Sequence, residues 1–485
     1  MTPREKIAHL LRRFAFGASN WELALYEPLG VEGTLDRLLN YEKQDEGFNV
    51  SPWEYCFEEG KDEVYLDPFR IAGWWTVRML MSQRPLEQRL TLFWHTHFAV
   101  GADKVEFGPA MLSYLETLRT NASGKFYTLL KSVAKEPAML RYLDGDANQV
   151  GHPNENFARE VMELFTLGAG HYSEQDVKEA ARAFTGWGIR YLVFEPGAEK
   201  LQETAKACII TNRPMIAFCT TPMLHDDGVK TVLNRTGKLD GDDVLDILAA
   251  RPETAQRVCK KLWQFFASAD APDSAVQRLA GKFTATGGDI KAVLREMTSI
   301  DNFWQPRTQV KSPCDFVVGN VRALKVHGLL ETLHGKPSKP NEPVPKPLRD
   351  TAGLLAGTMY GQGMLPLFPP NVAGWEGGSH WITTSNMLQR TKFADLIMGV
   401  GQNDQPLAGY LAQQIAQTKP QSSKDIVRAV LAKFDAELPD SKVNLLVQAF
   451  DKAGGPTSFA SPKTASQSLS AVLRMLFNSP EYQMF

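Results

Sequence analysis

Residues 67–83 read DPFRIAGWWTVRMLMSQ. Apolar side chains recur there at spacings of three and four, the period of a helix that turns a wide apolar face inward. The same period returns in DVKEAARAFTGW (176–187), ETAQRVCKKLWQFFAS (253–268), KDIVRAVLAKF (424–434) and SQSLSAVLRMLFNS (466–479). Start signals frame these runs. Ser173 with Asp176 three residues on has the form of a capping box, Pro252 suits a first helical turn, and Ser422 or Ser423 can cap the helix that follows. The expectation is a mainly α protein: one large multi-helix globular unit.

One stretch breaks the pattern. RYLVFEPGAEKLQETAKACIITNRPMIAFCTTPM alternates and is rich in β-branched and aromatic residues around a Pro-Gly turn, which predicts a small β-hairpin or sheet insertion near 189–222. GKPSKPNEPVPKPLRD (335–350) carries five prolines and reads as an extended loop. The helical body is therefore expected over 1–400, with a C-terminal helical segment, 401–485, packed on the same unit as scaffold or dimer surface.

Composition narrows the function classes. The 485 residues carry 53 Lys and Arg against 55 Asp and Glu, without a long like-charge run, so the basic footprint of a nucleic-acid binder is missing. No run of eighteen apolar residues exists to span a bilayer. The opening MTPREKIAHLLRRFAFGASNWEL has paired arginines but no apolar core and cleavage site after them, and reads as an amphipathic first helix. That favours a cytoplasmic protein, or a periplasmic or secreted one if a leader has been removed. Five cysteines without a C-x-x-C pair argue against a disulfide framework, a Cys208–Cys219 bridge being the one pairing left open.

Four constellations could carry chemistry. In TLFWHTHFAV (91–100) two of the nine histidines stand one residue apart in an aromatic run. On a helix starting near Pro85 their side chains would point about 200° apart. His95 and His97 could then share a metal only if the helix ends there and the backbone is extended. The alternative is a pair of hydrogen-bonded core histidines. On a helix starting near Asn154, residues Asn156, Glu160 and Glu163 share one face, offering two carboxylates as hard metal ligands or as an acid/base pair. Its plain counterpart is a solvated face with Glu155–Arg159–Glu163 ion pairs. HDDGVK places His225, Asp226 and Lys230 at a strand-to-helix turn, where Asp226 or Asp227 could equally be an N-cap. PLFPPNVAGWEGGSHWITTSNMLQR (366–390) is a Pro-, Gly- and Trp-rich loop that can wall a pocket or plug the fold. No P-loop, dinucleotide fingerprint, G-x-S-x-G or H-E-x-x-H appears, so no nucleotide cofactor is expected.

Taken together, HLLRRFAFGAS, RLTLFWHTHFAV, the 154–187 run, HDDGVKTVL, VKSPCDFVVG and PPNVAGWEGG resemble the bacterial family called domain of unknown function 1800. Its pattern includes His95 and His97, the run from Asn154 to Glu160 with Glu163, and His225, Asp226 and Lys230. The resemblance implies a functional site at these polar positions. It also implies frequent export and a neighbouring gene for a secreted sulfatase-like protein as a partner. This chain starts directly at the domain.

The resulting expectation is an enzyme, a hydrolase or an oxidoreductase, with an unidentified substrate. A divalent or redox metal would be held by His95, His97, Glu160 and Glu163. Arg159, His225, Asp226 and Lys230 would supply catalytic groups, with Asn154 and Asn156 behind the ligands and Trp94, Trp187 and Trp375 walling the pocket. A metal-free acid/base enzyme is a further form of this reading. The rival is a non-catalytic interaction or scaffold protein in which the polar residues form a buried network.

Overall fold

The helix Pro68–Met81 is held at its start by the Asp67 side chain, which accepts from the Phe69 N–H, and Pro68 fills its first turn. Nearly all of its residues are buried. A helix apolar on every side must be surrounded, and this one is packed by the helices Pro52–Cys56, Gly108–Thr120, Pro313–Ala323 and Lys346–Gly361. Gly73 allows the last of these to approach, since an added Cβ would stand 3.4 Å from the Ala352 backbone. The following helix, Pro85–His97, is equally enclosed and forms the second central rod.

The computed structural model describes residues 1–48, 50–56, 66–192, 215–326, 344–399 and 409–485. They form a mainly helical globular unit with two small antiparallel strand pairs. Helix Pro3–Phe14 starts with the capping box of Thr2 and Glu5 and buries Leu10, Leu11 and Phe14. The segment beyond residue 408 packs on the rest through rings: Phe477 meets Phe316 at 5.1 Å and Phe393 at 6.2 Å, and Tyr482 meets Phe316 at 6.3 Å. No helix among the described residues is long and apolar enough to cross a membrane.

The expected insertion is a hairpin whose strands β1 (Trp187–Tyr191) and β2 (Ile216–Thr220) pair from Trp187 opposite Thr220 to Tyr191 opposite Ile216. Residues 193–214, with Cys208 and the proposed Cys208–Cys219 bridge, lie outside the described residues. A second hairpin, β3 (Lys230–Val232) and β4 (Arg235–Gly237), stands where the sequence offered a short helix. Its two-residue turn, Leu233 and Asn234, has φ of 48° and 65°, the left-handed pair of a type I′ connection. Asp176 accepts the Leu233 N–H at 2.7 Å and holds a leucine in that conformation. The proline-rich loop is also shorter than expected, because helix Lys346–Gly361 begins inside it. Pro347 sits in the first turn, where a missing N–H costs nothing.

Candidate functional site

Helix Pro85–His97 continues through both histidines, so the extended geometry that would aim them at one metal does not form. His95 Nε2 accepts the Leu367 N–H at 2.8 Å. Its Nδ1–H therefore faces the Tyr114 hydroxyl at 3.2 Å, and that hydroxyl donates to the Phe98 carbonyl at 2.6 Å. Both ring nitrogens are occupied, and burial holds the imidazole neutral with a pKa of about 3. His97 donates from Nε2 to the Phe165 carbonyl at 3.1 Å, while its Nδ1 is buried without a partner among the described residues. Burial keeps it neutral too, helped by the charges of Lys261 and Arg257.

The acidic helix starts as the sequence indicates: Asn154 caps Glu155–Glu160, and Asn156 Nδ2 donates to the Leu143 carbonyl at 3.2 Å. From Val161 to Thr166 the chain widens into a π-turn, a feature frequent at functional sites and unreadable from periodicity. The turn directs the Leu164 carbonyl to Arg257 Nε, at 3.1 Å, and the Phe165 carbonyl to His97. The histidine helix thus meets the acidic helix through its backbone, not its carboxylates. Glu163 accepts from the Tyr172 hydroxyl, and Glu160 has its pKa raised by burial and then by Glu163. Among the described residues no three His, Cys, Asp or Glu side chains are placed to hold a metal ion. The centre expected of His95, His97, Glu160 and Glu163 is not assembled.

The remaining expected residues are spread and engaged. Arg159 pairs with Glu174 at 2.7 Å and Glu155 at 3.1 Å on the surface. His225 Nδ1 donates to the Thr185 carbonyl at 2.8 Å. Asp226 takes Arg182 in a two-pronged pair, 2.7 and 3.2 Å, which drops its pKa to about 2. The Lys230 ammonium donates to the carbonyls of Asp226, Gly228 (3.1 Å) and Leu239 (2.8 Å). This second group ties β3 and its approach to helix Glu174–Ala183, and among the described residues no hydrogen bond or ion pair joins it to either histidine of the central rod. Trp94 donates to the Ala122 carbonyl at 2.7 Å, Trp375 meets the His95 ring at 5.4 Å, and Trp187 packs on Phe184 and Phe218 at 5.0 and 5.2 Å beside the hairpin. Gly374 brings the Pro-Gly-Trp loop against the same helix: a Cβ there would lie 2.3 Å from the Thr96 carbonyl. That loop is a plug over His95.

A different set of polar residues converges on a cleft between the first helix, the central rod, helix Pro313–Ala323 and the chain's last turns. The cleft encloses about 90 Å³, against about 10–15 Å³ for one water on the same measure. It has room for a molecule of a few non-hydrogen atoms. The Gln309 N–H and carbonyl pair with Phe485, and the Lys311 N–H donates to the Gln483 carbonyl at 2.8 Å, which sets Lys311 beside Tyr482. Ser312 then caps helix Pro313–Ala323 in a capping box with Asp315. The same Asp315 reaches across to Arg89 of the central rod.

Several of the charges around this cleft are paired. Arg12 grips Asp435 through two bonds of 2.6 Å, Arg89 meets Asp315, Arg322 meets Glu22 at 2.9 Å and Lys442 meets Glu481 at 2.6 Å. The Lys311 ammonium makes no hydrogen bond or ion pair among the described residues. It lies 3.5 Å from the centre of the Tyr482 ring, at the start of a helix, whose dipole disfavours a cation. Burial brings its pKa down to about 7 against the pull of the Asp435 carboxylate, with Arg390 and Arg12 acting in the same direction as burial. Arg89 is 1% exposed, and its Nε has no acceptor among the described residues.

The structure is a mainly helical globular unit with a polar cleft beside its central rod. The chain matches, over residues 9–484, the family described as a protein of unknown function, DUF1800, and it belongs to that family. No curated protein and no solved structure matches it.

Proposed function

We propose that this protein is an enzyme acting on a small molecule in the charged cleft, with Lys311 as its reactive amine. The observation that carries this reading is the ammonium of Lys311 against the Tyr482 ring, lining a cavity without a carboxylate partner. Burying an amine this way costs stability, and a fold keeps such a cost most readily where the neutral amine is used as base or nucleophile. Glu160 and Glu163 with their π-turn remain candidates for acid/base work, but His95 could ligate a metal only by giving up the Leu367 or the Tyr114 hydrogen bond, so no step is assigned to one.

The non-catalytic rival has its own support, confined to other residues. His95 with Tyr114 and Leu367, and Asp226 with Arg182, are satisfied networks of the kind that fix a fold. Competitive acetylation at neutral pH followed by peptide mapping separates the two readings at the cleft. Lys311 is expected to react ahead of the surface lysines, because more of it is neutral. Reaction no faster than theirs would remove the amine from the mechanism.

A further inference from the structure

We infer that helix Pro252–Phe266 and the π-turn form a second site, outside the cleft, in which Arg257 and Lys261 bind a phosphate group. The two residues stand one turn apart on that helix and share a face. Phe265, a further turn on, meets Phe93 of the central rod at 5.3 Å, and Phe93 stacks on His97 at 6.1 Å, which sets this face beside the C-terminal end of the rod.

Arg257 is aimed by the backbone. Its Nε donates to the Leu164 carbonyl of the π-turn at 3.1 Å. Gly168, with φ of 89°, makes room for the guanidinium, since a Cβ there would stand 2.9 Å from Arg257 Nη1. Neither Nη group has an acceptor among the described residues, and Lys261 makes no hydrogen bond or ion pair among them. Both side chains are half-buried, yet their terminal nitrogens stay open to solvent, so a guest can reach them.

The charge balance favours an anion. The carboxylate that acts on Arg257 is Glu163, which already accepts from the Tyr172 hydroxyl. Among the described residues no carboxylate acts on Lys261, whose pKa is brought down to about 7 by burial and then by Arg257. His97 is neutral and adds no charge. Two like charges one helical turn apart destabilise each other, and a dianion between them removes that cost. The guanidinium offers a planar pair of N–H groups and the ammonium a point charge, a set suited to the several oxygens of a phosphate.

Full-length protein is acetylated at pH 7 with and without inorganic phosphate or glycerol phosphate, ionic strength being held with chloride, and the modified lysines are located by peptide mass. Phosphate should slow acetylation of Lys261 severalfold and leave Lys311 and the adjacent, exposed Lys260 unchanged. Protection by inorganic phosphate alone would identify the free ion as the ligand, and protection by glycerol phosphate as well would identify an esterified phosphate. Arg257→Gln should raise the phosphate concentration required about tenfold, equal to about 1.4 kcal/mol, with circular dichroism showing that the variant is folded. Equal protection of Lys260, or none of Lys261, would overturn the site, and so would a folded Arg257→Gln variant protected at the concentration that protects the parent.

Discussion

The central rod Pro85–His97 carries buried polar groups at both ends, and the two ends are treated differently. At its C-terminal end His95 has a partner on each ring nitrogen: Leu367 on one side, and on the other Tyr114, which passes its own proton to Phe98. Near its N-terminal end Arg89 satisfies one terminal nitrogen and leaves Nε without an acceptor among the described residues, and the Lys311 ammonium, which lines the same cleft, has the Tyr482 ring in place of a carboxylate. The first arrangement is what a fold needs to bury a polar ring. The second leaves a buried donor without an acceptor and a cation without a counter-ion, which costs stability at that end of the rod.

The comparison can be broken most forcefully at His95. Replacing it with alanine leaves the Leu367 N–H and the Tyr114 hydroxyl without their partner and opens a void among Trp75, Tyr114 and Trp375. A loss of about 3 kcal/mol is expected in denaturant unfolding. A variant as stable as the parent would show that the network is not structural.

Acid should act at both ends, since His9 lines the cleft and His95 closes the other end of the rod. His9 and His95 both sit near pKa 3 because of burial, Arg13 adding to the effect at His9. The unfolded chain takes up protons below about 6.5 that the folded chain refuses until about 3. Stability should therefore fall as pH drops through this window, and His95→Gln, if it folds, should show a shallower fall. A melting temperature flat from pH 6.5 to 4 would contradict the buried neutral assignment.

The smallest effect is expected at Arg159. Its ion pairs with Glu174 and Glu155 stand in solvent and are screened. Arg159→Ala should leave the melting temperature and the Lys311 reactivity where they were, and a clear loss of either would return Arg159 to the catalytic set.

Much of the fold is legible in the residues. Ser173 with Asp176, Pro252 and Ser422 mark helix starts that the structure contains, and the alternating run around Tyr191 and Ile216 gives the first hairpin. The second hairpin escapes because its turn is Leu233-Asn234, without the glycine that usually marks a type I′ connection, and depends on Asp176 from a distant helix. The π-turn escapes because one extra residue per turn leaves no composition signature. His95 and His97 were ambiguous in principle, since the sequence does not say whether the helix stops at Trp94 or at His97.

The cleft was harder to see for a different reason. Arg12, Arg89, Lys311, Asp435 and Tyr482 are scattered over the whole chain, and only tertiary packing joins them. A cue was present nevertheless. HLLRRFAFGAS and VKSPCDFVVG set Arg12, Arg13, Lys311 and Asp315 in apolar surroundings, the same criterion that draws attention to His95.

The most direct test of the contrast between the two ends of the rod is the stability of Lys311→Met as a function of pH. A folded pKa of about 7 against an unfolded value near 10.5 means that the wild type is penalised fully below pH 7 and regains stability as pH rises towards 10.5. The methionine variant should melt higher than wild type at neutral pH, and the gain should shrink as the solution becomes alkaline. A variant that melts lower at every pH would show that Lys311 is a satisfied structural residue, and that the cleft is no more a site than the histidine pair.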